Sequence, residues 1–351
     1  MTQWEPHLRR VYWETTASCN LRCIHCRRLD VLDNPSPLEL TTEEGKSFID
    51  EVATFGRPVL IFSGGEPLMR PDFFALAGHA RSRGLPIALA TNGTLVDASM
   101  AQRLREAGIY YASVSLDGVR AATHDFFRGP GNYDKTLRGF DLMRDAGIKV
   151  QINFTVTRQN VSELPLMYDL ACSRHAAALY LFLLVPVGCG VQIAPSQMLN
   201  AREVEEWLFW VQEKDEQGHL PIKAICAPQY YRVEAQYGGE GDGIPAVRKG
   251  CLAGIHMCFV SHKGEVYPCG YLPTPAGDLR AQSFRDIWTG SPLFKSLRDS
   301  SLLSGKCGAC EYKDVCGGCR ARGYYAYGDV LAEEPYCVYT PARLDPAQAS
   351  G

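Results

Sequence analysis

The sequence predicts an α/β protein in which a parallel sheet, open or closed into a barrel, precedes a small cysteine-rich module. Between residue 11 and about residue 187, short apolar runs alternate with helical stretches in about six strand–helix units. Eight of the 14 cysteines then follow residue 250. Strands become short and turns frequent there, as in a small domain stapled by metal. A chain of 351 residues is long enough for both parts.

The strand candidates are short runs rich in Val, Ile, Leu, aromatic residues and Thr, a composition that buried parallel strands share. They are Val11–Thr15, Val59–Ser63, Ile87–Thr91, Ala112–Leu116, Val150–Thr157 and Leu179–Val185. The helix candidates between them are Thr42–Thr54, Pro71–Arg83, Asp97–Ala107, Tyr133–Ala146 and Ser162–His175. Thr41 and Glu44 have the spacing of a capping box at the first of these. Three helix candidates end next to a glycine, which helices favour at that end: Gly84, Gly108 and Gly147.

The strand–helix alternation stops near residue 200 and divides the chain. Residues 1–200 are expected to form the strand–helix domain, and residues 201–250 a linker with a bridging helix at Glu203–Gln217. A glycine-rich loop follows at Tyr237–Gly243. Residues 251–340 are expected to form the cysteine-rich domain, and residues 341–351 are expected to be a disordered tail.

Charge and hydropathy exclude two classes of partner. The formal net charge is −3, from 36 Lys and Arg against 39 Asp and Glu, so no basic field favours nucleic acid. The longest apolar run, Ala176–Val187, has twelve residues, too few to span a bilayer. Met1–Arg10 lacks the apolar core of a signal peptide, so we expect a cytoplasmic protein without a membrane partner. Reduced thiols in that compartment favour metal binding over disulfides.

Three cysteines form a front cluster directly after the first strand candidate. Cys19, Cys23 and Cys26 lie within eight residues, and the next cysteine is Cys172. Three thiolates can hold three irons of a [4Fe–4S] cluster and leave the fourth iron open for a non-protein ligand. Zinc is the alternative, but a zinc site usually has a fourth protein ligand, and His25 is too close in sequence to be a comfortable one. The spacing of the three cysteines therefore favours an iron–sulfur cluster over a zinc site.

The three-cysteine loop resembles the signature of the radical S-adenosylmethionine (SAM) enzymes. Further segments match that family in chain order, most of them at the ends of predicted strands: Gly64-Gly65-Glu66-Pro67, Thr91-Asn92-Gly93, Ser115, Asp117, Arg128 and Asn153. Each segment alone is also common as a turn, a packing residue or a solvated charge. The ordered set is what identifies the family.

The resemblance implies a fold, cofactors and roles. The fold is a partial (β/α)6, TIM-like barrel, in which Cys19, Cys23 and Cys26 hold the catalytic [4Fe–4S] cluster. The cluster cleaves SAM to a 5′-deoxyadenosyl radical. The resemblance also implies that oxygen destroys the cluster and that a low-potential protein such as flavodoxin or ferredoxin supplies the electron. The implied SAM contacts are Gly64, Gly65, Glu66 and Pro67 with the amino group, Ser115 and Arg128 with the carboxylate, Asn153 with the ribose, and Asn92 beside them.

The C-terminal cysteines resemble those of the SPASM domain, an auxiliary-cluster module of many radical SAM enzymes. The crossed pattern of that domain implies one cluster on Cys251, Cys258, Cys269 and Cys319, and a second on Cys307, Cys310, Cys316 and Cys337. Only Gly317 and Gly318 separate Cys316 from Cys319, where three residues are usual, so one or two auxiliary clusters are implied. From spacing alone, Cys307, Cys310, Cys316 and Cys319 would also suit a zinc knuckle.

Segments along the chain resemble the tetrapyrrole-modifying radical SAM proteins: Cys226–Arg232, Gly250–Gly254, Pro268–Tyr271, Gly305–Tyr312, Val315–Arg322 and Ala332–Pro335. The resemblance is greatest to the haem synthases of the alternative, sirohaem-dependent route. They oxidatively decarboxylate two propionates of iron-coproporphyrin III to vinyl groups, giving haem b. The alternatives are didecarboxysirohaem deacetylation, haem d1 biosynthesis, peptide or protein modification by a SPASM maturase, and a non-catalytic iron–sulfur or zinc module.

A substrate with four carboxylates requires cations in its pocket. The candidates are Arg27, Arg28, Arg232, Arg320 and Arg322. Tyr230 and Tyr231 are candidates for stacking on a macrocycle, although packing in the core is the simpler expectation.

Overall fold

A computed structural model describes residues 7–28, 32–237 and 250–344. The described residues form one sheet of ten strands: β1 (Arg10–Glu14), β2 (Val59–Ser63), β3 (Ile87–Thr91), β4 (Ile109–Ser115), β5 (Lys149–Val156), β6 (Leu179–Leu183), β7 (Ile222–Ile225), β8 (Met257–Val260), β9 (Glu265–Tyr267) and β10 (Gly277–Asp278). Most of the glycine-rich loop and of the expected tail lies outside the described residues, which end with a 3-10 turn at Ala342–Leu344.

The described helices connect these strands and cover the sheet. They are α1 (Thr42–Ala53), α2 (Phe73–Ser82), α3 (Ala98–Ala107), α4 (Ala121–Arg128), α5 (Asn132–Asp145), α6 (Leu164–Ser173), α7 (Gly190–Gln197), α8 (Ala201–Gln217), α9 (Gln229–Tyr237), α10 (Phe284–Gly290), α11 (Pro292–Arg298), α12 (Gly305–Ala309) and α13 (Arg320–Tyr327). In the described part of the chain, no helix combines the length and apolar character needed to cross a bilayer.

The sheet confirms the predicted parallel α/β core. Strands β1 to β7 are neighbours in chain order, and every pair among them is parallel. That order is the order of a (β/α) barrel, but within the described residues the sheet ends at β7 and does not close. The carboxyl ends of all seven strands therefore lie along one edge.

The local signals read from the sequence are present in the structure. The Thr41 hydroxyl accepts from the backbone N–H of Glu44 at 3.2 Å, and the Glu44 carboxylate accepts from the backbone N–H of Thr41 at 2.7 Å. This confirms the capping box. Gly108 ends α3 with a left-handed φ of +93°, which a residue without a side chain adopts without steric cost.

The core lies between the sheet and its helices. Val11 and Trp13 of β1 are fully buried there, and Trp13 makes an edge contact with Phe48 of α1 at 5.5 Å between ring centroids. Side chains alternate along a strand, so Tyr12 and Glu14 face the opposite side of the sheet. Burial of each large apolar side chain contributes about 1.5–3 kcal/mol.

The expected linker, residues 201–250, contributes to the sheet. Strand β7 pairs in parallel with β6, with Leu179 opposite Ile222. Helix α8 precedes it and begins with its own capping box, between Asn200 and Glu203. The sequence Ile-Lys-Ala-Ile is too short and too polar to stand out as a strand, so β7 was not among the predicted strands.

The cysteine-rich module is joined to the barrel through the same sheet. Strand β8 pairs in parallel with β1, with Val11 opposite Cys258, and β9 and β10 continue the sheet as antiparallel strands. Arg280 reinforces this junction from the module by an ion pair with Glu44 of α1 at 2.9 Å.

Candidate functional site

The edge formed by the carboxyl ends of the parallel strands carries the segments singled out in the sequence. The cysteine loop follows β1, the Gly-Gly-Glu-Pro segment follows β2, Thr91-Asn92-Gly93 follows β3, and Asp117 follows β4. In barrels this edge is where catalytic groups collect.

The cysteine loop is held at both ends. The backbone N–H of Cys19 donates to the carbonyl of Leu32 at 2.9 Å, and the carbonyl of Cys26 accepts from the backbone N–H of Cys189 at 2.8 Å. Two side chains from outside the loop reach its sulfurs, Asn92 from the segment after β3 and Arg128 from the end of α4. The Asn92 amide lies 4.0 Å from the Sγ of Cys19, and the Arg128 guanidinium lies 3.7 Å from the Sγ of Cys23.

The two glycines after β2 pack against the backbone at the start of this loop. The N–H of Gly65 donates to the carbonyl of Thr16 at 2.8 Å, and the N–H of Glu66 donates to the carbonyl of Ser18 at 2.7 Å. A Cβ at Gly65 would lie only 2.2 Å from the Ser18 carbonyl oxygen. Only glycine fits at this position, and its close approach fixes the cysteine loop against the second segment.

Glu66 is fully buried and joins the segments after β2 and β3. Its carboxyl group accepts from the Thr91 hydroxyl and the Asn92 N–H, both at 2.9 Å, and from the Leu68 N–H at 3.2 Å. Burial raises the pKa of Glu66 to about 7, although these hydrogen bonds oppose the shift. A carboxylate has about four acceptor positions, so three protein donors leave room for one more.

Asp117 orients two side chains next to the cysteines. This fully buried carboxylate accepts from Arg128 Nε at 2.5 Å and lies 3.0 Å from Nε2 of His25, and it also accepts from the Thr155 N–H at 2.7 Å. Burial alone would raise the pKa of Asp117, but Arg128 and His25 hold it well below its usual range. The sequence pointed to Arg128 without indicating that Asp117 holds it.

Ser115 and Asn153 lie next to each other at this edge. They are opposite residues in the pairing of β4 with β5, and both are half-buried. The Gln151 amide donates to the side-chain oxygen of Asn153 at 2.6 Å, which fixes its orientation. The structure thus places the predicted SAM-contact residues along one edge with the cysteine loop.

The expected second auxiliary set converges in the C-terminal module. Cys307, Cys310, Cys316 and Cys337 line one pocket. Backbone N–H groups point at two of the sulfurs, from Glu334 to Cys307 at 3.3 Å and from Gly318 to Cys316 at 3.4 Å. Such donors stabilise thiolate ligands.

The arginines proposed for substrate carboxylates are all engaged by protein groups. Their partners are Glu14 for Arg27 and Arg28, Glu205 for Arg232, the Val330 and Ala332 carbonyls for Arg320, and Glu334 for Arg322. Glu14 also accepts from His262 of the module at 2.7 Å. Tyr230 is buried in the core, in agreement with the simpler expectation of packing, and its hydroxyl donates to the Asp215 carboxylate at 2.9 Å.

The residues present fit iron–sulfur clusters. All fourteen cysteines are free thiols. In the cysteine loop, two buried polar atoms, Ser18 Oγ and His25 Nδ1, have no hydrogen-bond partner, as expected where a ligand binds. Among the described residues, no three His, Cys, Asp or Glu side chains are close enough to share one metal ion. A [4Fe–4S] cluster attaches each thiolate to a different iron and so requires a wider spacing.

Comparison with known proteins adds two family matches. Residues 13–171 match the model of the radical SAM superfamily. Residues 251–320 match the SPASM model, described as an iron–sulfur cluster-binding domain. The first match begins near the end of β1 and covers the cysteine loop and the strands β2 to β5. The second covers seven of the eight C-terminal cysteines.

Curated relatives align over nearly the whole chain. An "AdoMet-dependent heme synthase" of Methanosarcina barkeri is 47% identical over 95% of this chain and 97% of the relative. A protein of the same name from Nitratidesulfovibrio vulgaris is 42% identical, over 98% and 95%. An "Fe-coproporphyrin III synthase" of Methanosarcina barkeri is 34% identical, over 95% and 88%.

Solved structures share the fold at low sequence identity. Streptococcus suis SuiB bound to S-adenosylmethionine aligns with a TM-score of 0.75 and 16% identity, over 95% of this chain and 78% of that one. The protein anSMEcpe with bound AdoMet aligns with a TM-score of 0.69 and 21% identity, over 93% of each chain. At these identities the likeness concerns the architecture of barrel and cysteine-rich module.

Proposed function

The chain belongs to the radical SAM superfamily and carries a SPASM iron–sulfur domain, and on this premise we propose that it is a haem synthase acting on iron-coproporphyrin III. The observation that carries the proposal is the 47% identity to an AdoMet-dependent heme synthase over nearly the full length of both chains. Identity to the Fe-coproporphyrin III synthase and to a pre-heme d1 synthase of Dinoroseobacter shibae is lower, at 34% each.

The residues of the front site have defined roles in this proposal. Cys19, Cys23 and Cys26 would hold the catalytic cluster, and the buried Asp117 fixes Arg128 beside Cys23, where its guanidinium can bind the SAM carboxylate. When bound, the front cluster with SAM supplies a 5′-deoxyadenosyl radical, and the SPASM clusters supply one-electron redox capacity. Ser115 and Asn153 extend the SAM-binding edge along β4 and β5.

The proposed reaction converts two propionates to vinyl groups. Each conversion removes one hydrogen atom from the β-carbon, releases carbon dioxide and leaves one electron to be accepted. A low-potential donor, flavodoxin or ferredoxin, belongs to the proposal as the source of the electron for SAM cleavage. Since Arg27, Arg28 and Arg322 are paired inside the protein, the substrate carboxylates would have to bind through other donors or displace these pairs.

The reaction itself gives the direct test. Reconstituted protein is incubated without oxygen with SAM, dithionite and iron-coproporphyrin III. The iron-coproporphyrin III should lose two molecules of carbon dioxide and become haem b, and 5′-deoxyadenosine should form as co-product. Mass spectrometry of the porphyrin measures the loss, and omission of SAM is the control. A different result would contradict the proposed substrate: 5′-deoxyadenosine forms, iron-coproporphyrin III stays unchanged, and didecarboxysirohaem is converted instead. That result would still agree with radical SAM chemistry.

SAM binding should depend on pH through Glu66. Its pKa is raised to about 7 by burial, so the carboxyl group is mainly neutral below that pH and cannot attract the SAM ammonium group. The Kd for SAM should therefore fall as the pH rises from 6 to 8, by up to about tenfold per pH unit below the pKa. Calorimetric titration at several pH values measures this. The isosteric Glu66→Gln should bind more weakly and show a flat profile, and a flat wild-type profile would exclude this role.

A further inference from the structure

Cys258 is separated from the other cysteines that the SPASM pattern groups with it. It lies on β8, fully buried, opposite Val11 of β1, in the core between sheet and helices. Burial raises the pKa of its thiol, Arg298 opposes this shift by a smaller effect, and the Arg298 guanidinium stacks on the Trp288 ring at 4.5 Å. Trp288 belongs to α10, on the helix-covered face of the sheet.

The other cysteines of that set lie on the opposite face. The side chain of Phe259 points away from that of Cys258, because neighbours on a strand alternate. The Phe259 ring contacts the Arg27 guanidinium at 4.3 Å, and a Cβ on Gly270 would lie 3.4 Å from it. Cys269, next to Gly270, is therefore on the face of Phe259 and not on that of Cys258. The sheet itself stands between the two thiols.

A different cysteine occupies the neighbourhood of Cys269. Cys226 follows directly on β7 and packs, together with Cys269, against the buried Cys319 in a small cluster separate from the main core. Burial and the thiols of Cys319, Cys269 and Cys251 together raise the pKa of the Cys226 thiol well above its ordinary value. The Cys251 thiol also raises the pKa of the thiols of Cys269 and Cys319, so the four sulfurs lie close to one another.

The backbone supports this placement in two ways. Cys226 has a left-handed φ of +56°, one of two such non-glycine residues in the described ranges, and such strain is found at functional sites. The segment after it also contacts the module. A Cβ on Gly250 would lie 2.9 Å from the Cβ of Pro228, and the Gly250 N–H donates to the Val315 carbonyl at 2.6 Å. The chain around Cys226 thus reaches the segments that carry Cys251 and Cys319.

We propose that Cys226, in place of Cys258, is the fourth ligand of the first auxiliary cluster, together with Cys251, Cys269 and Cys319. Four cysteines complete the ligation of a [4Fe–4S] cluster. Because Cys226 directly follows β7 of the barrel sheet, this cluster would join the barrel to the SPASM domain. The proposal rests on the iron–sulfur character of that domain and is independent of which tetrapyrrole the enzyme modifies.

The test compares Cys226→Ala with Cys258→Ala, each in full-length protein that also carries Cys19→Ala, Cys23→Ala and Cys26→Ala to remove the front cluster. Iron and sulfide per chain and the EPR spectrum of the reduced protein are measured after anaerobic reconstitution. Cys226→Ala leaves three thiolates for this cluster, so one of its irons loses its protein ligand. Iron should fall by about one to four atoms per chain, and the EPR signal of this cluster should change or disappear. Cys258→Ala should retain the iron content and the spectrum of the parent.

A third variant separates ligation from folding. Cys226→Ser should retain iron but shift the EPR g-values and the reduction potential, because a serine oxygen can replace the thiolate with altered electronic properties. Circular dichroism checks that all variants are folded. Loss of a cluster in Cys258→Ala with full iron in Cys226→Ala would overturn the proposal. So would full iron and an unchanged spectrum in both alanine variants, which would show that neither thiol is a ligand.

Discussion

Replacement of Cys23 by alanine is expected to reduce 5′-deoxyadenosine formation to the level measured without enzyme, while the auxiliary clusters keep their iron. Cys23 is one of three thiolates in a loop that Gly65 and Leu32 hold by backbone contacts, and Arg128 lies 3.7 Å from its sulfur. With two thiolates the open-coordination cluster cannot form, and SAM has no iron to bind. Chromatography of the products with dithionite as reductant measures the yield.

Cys172 provides the matched control for this experiment. It is a half-buried free thiol on α6, outside all the cysteine groups described above. Cys172→Ala should cleave SAM at the wild-type rate and bind the wild-type amount of iron. Normal 5′-deoxyadenosine yield from Cys23→Ala would remove Cys23 from the front site, and equal losses in both variants would indicate a general effect on folding.

The second large effect is expected in the C-terminal module. Arg322 and Glu334 form an ion pair at 2.9 Å with side-chain exposures of 0% and 1%. Glu334 also accepts from the Cys319 N–H at 2.9 Å and the Tyr336 N–H at 3.1 Å. Glu334→Ala leaves a buried guanidinium without its counter-charge, which should lower the free energy of unfolding by about 3–5 kcal/mol. Urea denaturation followed by circular dichroism measures the change.

An exposed pair shows what burial contributes. Arg158 and Glu203 are 3.3 Å apart with side-chain exposures of 46% and 40%, so Glu203→Ala should cost only about 0–1 kcal/mol through the ion pair. The capping bond of Glu203 at α8 adds a similar small amount. The double variant Arg322→Met/Glu334→Leu should be more stable than Glu334→Ala, because no charge then remains buried. A cost for Glu334→Ala no larger than that for Glu203→Ala would contradict this account.

The barrel could be predicted from the sequence because its signals are local. Each of the first six strands is a short run rich in apolar residues, β2 to β6 each follow a helix, and the capping box at Thr41 lies within four residues. Strand β7 gave no such signal. The pairing of β8 with β1 could not be predicted either. It places Val11 opposite Cys258, far apart in the sequence, and local sequence patterns carry no information on such a pairing.

In the candidate site, too, the local features could be predicted from the sequence and the long-range contacts could not. The cysteine loop and Gly65 could be singled out from short motifs, but the partners of charged side chains could not. Arg27 is paired with Glu14 on the preceding strand, and Arg322 with a glutamate beyond its own helix. Cys258 fits the linear spacing of its module, yet the alternation of side chains along β8 turns it away from Cys269.

The pairing of β8 with β1 also has a consequence for how the protein is made. One side of β1 is covered by β2 early in synthesis, whereas the other side is covered only by β8, from the opposite end of the chain. At about 5–20 residues per second, a ribosome needs roughly 10–50 s to deliver that partner. During this interval the N–H and C=O groups on one side of β1 are open to pairing with other chains. This edge of β1 is therefore closed only after about three quarters of the chain has been made.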